Sequence, residues 1–139
     1  MPNGEDHRDA RSESEALMQR AFNLERTNAL PLALESYRQA VALYRFNTEA
    51  QMQIIRIARD LGSKVTDAEV DEAATSILIW GTDEQQTEVR DFLDEERVNR
   101  IIESIVDDAD NIFNTCAQYP EDQALRSSFA RFLDENGDI

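Results

Sequence analysis

The stretch NALPLALESYRQAVALY, Asn28 to Tyr44, is the most readable part of the chain. Ala33, Tyr37, Ala40, Val41 and Tyr44 fall at helical spacing, so they share one face. Pro31 stands where a first helical turn tolerates a missing backbone donor. A second helical pattern lies just before it, across RTNALP, which predicts a helical hairpin.

Capping signals extend the pattern along the chain. Ser12–Glu15, Thr48–Gln51, Thr66–Glu69 and Thr82–Gln85 each place a hydroxyl residue three positions before Glu or Gln, the spacing of a capping box. Gly62 and Gly81 follow periodic stretches and suit left-handed C-caps, and Pro120 suits a first helical turn. The predicted helices are 14–27, 31–45, 48–61, 67–80, 83–93, 95–118 and 120–133. The break at Asp94–Glu96 comes from phase. At about 100° per residue, Val89, Phe92 and Leu93 point nearly opposite to Ile101, Ile105, Ala109, Ile112 and Cys116. Seven helices with short loops predict an all-α fold of antiparallel hairpins, either a short solenoid or a bundle. Leu125, Phe129, Phe132 and Leu133 on the last helix would cover an exposed end.

In the first hairpin, Leu17, Ala21, Leu24, Ala33, Tyr37 and Ala40 form a small–small–aromatic–small pattern that lets two helices approach closely. In this order they resemble a tetratricopeptide repeat. Arg45 stands where that family usually has Pro. ALESYRQAVALY also resembles the central helix of the MIT (microtubule-interacting and trafficking) domain. The resemblance covers residues 14–45. A shift of 37 residues sets Ala58, Leu61, Val70, Ala74 and Ile77 over the same pattern as a degenerate second copy. The resemblance implies peptide or protein binding in a groove lined by the first helix of each pair. The chaperone-binding subtype uses a Lys and Asn clamp there. Here the places hold Met18 and Phe22, which with Met52 imply an apolar groove instead.

At 139 residues the chain is long enough for one domain that buries roughly two-thirds of its unfolded surface. The expected organisation is a disordered tail over 1–12 and one all-α domain over 13–135. Its 13–64 part is neutral and repeat-like, and its 65–135 part is acidic. The net charge of −15 is unevenly spread: residues 1–64 carry nine basic and nine acidic side chains, and residues 65–139 carry five and twenty. An acidic half beside a neutral one predicts a surface aimed at a basic partner, with Asp107, Asp108 and Asp110 among its candidate contacts. No basic stripe exists to neutralise phosphates, which argues against direct nucleic-acid binding. The N-terminus has no apolar core of a signal peptide, and Ile77–Trp80 is too short to cross a membrane, so a cytoplasmic protein is expected. The single cysteine, Cys116, lies on an apolar face and reads as core.

Most chemistries lack their residues. The only histidine, His7, stands in the polar tail with no cysteine nearby, so no zinc set can form. There is no Gly-rich phosphate loop and no nucleophile–base pair. Two acidic pairs, Glu69 with Glu72 and Glu88 with Asp91, resemble the Mg²⁺ site of all-α NTP pyrophosphohydrolases. Carboxylates three residues apart share a helix face, and two such helices could gather oxygen ligands around hydrated Mg²⁺. Only Lys64 and Arg90 stand nearby to take the triphosphate. Asp134, Asn136 and Asp138 alternate like the start of an EF-hand loop, but the chain stops before its Gly and Glu. The leading expectation is a protein-binding adaptor without cofactor or metal. The alternatives are the pyrophosphohydrolase and an acidic inhibitor that imitates nucleic acid.

Overall fold

A computed structural model describes residues 7–60, 64–120 and 122–136. Among these residues the fold is all-α, with eight helices in order: α1 His7–Arg26, α2 Leu30–Leu43, α3 Thr48–Asp60, α4 Asp67–Trp80, α5 Asp83–Phe92, α6 Glu95–Asp107, α7 Ala109–Ala117 and α8 Gln123–Asn136. None of them is long and apolar enough to cross a membrane. The chain divides into two compact units, Met1–Ser76 and Ile77–Ile139. That division falls inside α4, rather than at 64/65 where the charge changes.

In the first unit α1 lies along α2, and α2 packs on α3. Ala21, Ala33, Tyr37 and Ala40 are all fully buried, with Leu17 and Leu24 half-buried beside them. Three alanines leave room for close helix approach, and the Tyr37 ring fills the gap, edge-on to Phe22 at 5.8 Å. The hairpin tip is a Schellman motif. Asn28 takes φ 62°, its N–H donates to the Glu25 carbonyl at 3.0 Å, and the Ala29 N–H donates to the Leu24 carbonyl at 2.9 Å. Asparagine tolerates the left-handed region better than other residues with a side chain.

The expected second hairpin, 48–61 with 67–80, is not among the close helix pairs of the described residues. On α3, Met52, Ile54, Ile55 and Ile57 are all buried, on more than one side of the helix. Instead, Arg38 of α2 reaches Glu69 of α4 with two bonds, Nε to Oε2 at 2.8 Å and Nη2 to Oε1 at 2.9 Å. The Arg38 guanidinium also donates to the Lys64 carbonyl at 2.5 Å.

In the second unit, α6, α7 and α8 pack on one another. Phe129 is fully buried, 4.7 Å from Phe113 and 6.2 Å from Phe132 between ring centres. Val98, Ile101, Ile102, Ile105, Ile112 and Cys116 complete the apolar face, as the helical period requires. The indole N–H of Trp80 donates to the Leu125 carbonyl at 2.9 Å.

The capping expectations divide. Thr82 and Gln85 make the full box, with the Gln85 N–H donating to Thr82 Oγ1 at 3.1 Å and the Thr82 N–H to Gln85 Oε1 at 3.0 Å. Thr66 accepts from the Glu69 N–H at 3.1 Å, while the Glu69 carboxylate goes to Arg38. At α3 the cap is Asn47, one residue before Thr48, and its Oδ1 accepts from the Ala50 N–H at 3.0 Å. Ser12 and Glu15 are interior to α1, because that helix begins at His7 instead of residue 14. The expected tail is therefore helical over 7–12, and its first six residues lie outside the description. Gly81 does not take a left-handed conformation. Its small size matters instead, since a Cβ there would sit 2.6 Å from the Ile77 carbonyl oxygen. Gly62 lies outside the described residues.

The break at Asp94 is present, and Asp94 caps α6 by accepting from the Arg97 N–H at 2.8 Å. A second break, not expected, divides 95–118 at Asp108, whose N–H reaches the carbonyls of Ser104 and Ile105 at 3.1 and 3.2 Å. The last helix begins at Gln123, so Pro120 precedes it rather than opening its first turn. It continues to Asn136, whose side-chain amide donates to the Phe132 carbonyl at 2.9 Å. Asp134 and Asn136 are thus helical residues and not the start of a calcium loop; Asp138 lies outside the described residues.

Candidate partner-binding surfaces

Helix α6 sorts its residues sharply. Val98, Ile101, Ile102 and Ile105 are buried, while Glu96, Arg100, Glu103 and Asp107 are exposed. These four recur at three-, four- and seven-residue intervals, so they form one ridge opposite the buried face. At the end of the ridge Asp107, Asp108 and Asp110 are all exposed around the break between α6 and α7. Asp108 Oδ1 accepts from the Asn111 amide at 2.7 Å, which orients it along the start of α7. Residues 77–139 hold sixteen acidic and five basic side chains, so the second unit carries the larger part of the negative charge. An outward ridge of mostly carboxylates, interrupted by Arg100, on a helix with an aliphatic inner face displays net negative charge. What it can do chemically is attract and orient cations or cationic side chains.

The apolar candidates lie in the first unit. Met18 and Phe22 are half-buried on α1, four residues apart and hence on one face. Met52 is fully buried. It belongs to the core beneath α3 and cannot line an accessible groove, contrary to expectation, because its unbranched side chain fills interior space. The Tyr37 hydroxyl donates to Glu25 on α1. Burial first, and then this hydrogen bond and the Glu25 charge, push the phenol well above the ordinary tyrosine range. Sequence reasoning missed Glu25 as a partner. Its distance from Tyr37, twelve residues across a hairpin, is the spacing that links Ala21 to Ala33.

The four carboxylates of the Mg²⁺ reading have other settings. Both oxygens of Glu69 are engaged by Arg38, which strengthens the guanidinium's hold on its proton, chiefly through that hydrogen bond. Glu72 and Asp91 are exposed and Glu88 is half-buried. Among the described residues, no three His, Cys, Asp or Glu side chains gather into a group able to hold a metal ion. Cys116 is buried, as a core residue should be.

Comparison with known protein families, with characterised proteins and with solved structures finds no match for this chain.

Proposed function

We propose that the chain is a cytoplasmic protein-binding adaptor or regulatory module whose acidic second unit engages a basic surface on a partner protein. The observation that carries this reading is the exposed ridge Glu96–Arg100–Glu103–Asp107, three carboxylates to one cation, continued by Asp108 and Asp110, on a helix whose opposite face is wholly aliphatic. Contacts of this kind raise the association rate and discriminate among partners, and salt screens them. The buried Ala21, Ala33, Tyr37 and Ala40 support a tetratricopeptide-like hairpin as scaffold, with Met18 and Phe22 as an accessory apolar contact.

The test compares the purified protein with a D107K/D108K/D110K variant as baits, at low and high salt. Specific partners should be captured at low salt, lost at high salt and lost with the charge-reversed bait. Capture of the same proteins by both baits, unaffected by salt, would overturn the reading. DNA competing for a captured partner would identify that partner as a nucleic-acid-binding protein whose basic surface the ridge imitates.

A further inference from the structure

The turn between α2 and α3, residues 44–47, is held from outside by α1. Ser14, fully buried on α1, donates its hydroxyl proton to the Ala40 carbonyl at 2.6 Å. That carbonyl already accepts from the Tyr44 N–H at 3.1 Å, at the C-terminus of α2. The same Ser14 oxygen accepts from the Asn47 side-chain amide at 2.9 Å. Asn47 in turn caps α3 through its Oδ1, which receives the Ala50 N–H at 3.0 Å. One hydroxyl therefore joins the last turn of α2 to the first turn of α3, and the oxygen that bears it belongs to neither helix.

A second contact from α1 lands on the same turn. The Arg11 guanidinium lies over the Tyr44 ring, 5.6 Å from its centre, and Tyr44 packs edge-on to Phe46 at 5.5 Å. Ser14 is the one fully buried residue between Arg11 and Ala21, with Leu17 and Met18 half-buried after it. The contacts that dock this part of α1 thus fall on the same turn that Asn47 caps.

We propose that the Ser14–Asn47 relay couples docking of the N-terminal half of α1 to the order of the α2–α3 turn. A ligand that holds this half of α1 in place tightens the first turn of α3, and one that draws it away releases the Asn47 cap. The inference stands apart from the acidic ridge. Coupling of this kind is reciprocal: whatever loosens one end loosens the other.

Native-state amide hydrogen exchange on the full chain tests it, with each variant read on the helix that it does not touch. Ser14→Ala should speed exchange at the Ala50 and Gln51 amides about fivefold, the scale of one lost net hydrogen bond. Asn47→Ala should speed exchange at the Leu17 and Met18 amides by a similar factor. The double variant should be no worse than the more severe single one, because both break one relay. The Ala29 amide, tied to Leu24 at the hairpin tip, should keep its protection in all three. Additive effects, a variant that leaves the opposite helix unchanged, or an equal loss of protection at Ala29 would each overturn the proposal. Should the Ser14 variant not fold, the Asn47 arm decides alone.

Discussion

At the α1–α2 contact Ala21, Ala33 and Ala40 are fully buried, with the Tyr37 ring between them. In the second unit Phe129 is fully buried between Phe113 and Phe132, and isoleucines line α6. The first region gains its stability from nearness, with small side chains letting backbones approach. The second gains it from the apolar bulk it removes from water. The two also treat polar groups differently. The first buries a satisfied relay of Ser14 and Asn47, whereas the second turns its charges outward. A contact made by small residues should fail when atoms are added, and one made by rings when atoms are removed.

The largest effect is expected in the second unit. Phe129→Ala should cost about 3–5 kcal/mol, read as a shift in the urea midpoint. In the first unit Ala33→Leu should cost about 1–3 kcal/mol through overpacking, and a stability unchanged by the added bulk would break the comparison. Next come the caps. Thr82→Ala removes a complete box and should cost about 1 kcal/mol, more than Thr66→Ala, where the second arm of the box is diverted to Arg38. Thermal melts of both variants would check the order.

A fourth test uses alkaline pH. The folded state holds the Tyr37 proton above the ordinary tyrosine value, so the stability linked to it is complete below pH about 10. Above that pH the unfolded chain releases the proton while the folded chain keeps it, and stability falls. Tyr37→Phe should therefore lose less stability than the parent when urea titrations are repeated above pH about 10. The smallest effect is expected at Gln51. Its buried Oε1 has no hydrogen-bond partner, while its Nε2 donates to the Arg45 carbonyl. Gln51→Leu exchanges one satisfied group and one unsatisfied group for apolar surface. It should change the denaturation midpoint little in either direction.

The sequence was legible wherever one face meets one core. The opening hairpin, the phase reversal at Asp94 and the burial of Cys116 all follow from helical period. The break at Asp108 did not show, because Ile101, Ile105, Ile112 and Cys116 keep a continuous stripe across it and a period carries no information about a turn that preserves phase. Glycine is the usual sign of a left-handed helix end, but at the end of α1 Asn28 performs that role. The helical state of residues 7–12 did not show because His7–Ser12 offers few apolar residues to mark a period. The exposure of Asp107, Asp108 and Asp110 was legible from charge, whereas the burial of Met52 was not. A methionine on a helix face has the same spacing whether it lines a groove or fills a core. The Ser14–Asn47 bond joins residues 33 apart, and no local pattern announces it.

The chain contains one tryptophan, Trp80, and its indole N–H is bound to the Leu125 carbonyl near the start of α8. This gives the second unit a built-in optical reporter. Any event that loosens α8 changes the hydrogen bond on the indole, and with it the emission of the chain's only tryptophan. Engagement of the acidic unit can therefore be followed by intrinsic fluorescence without attaching a label, wherever that engagement reaches α8.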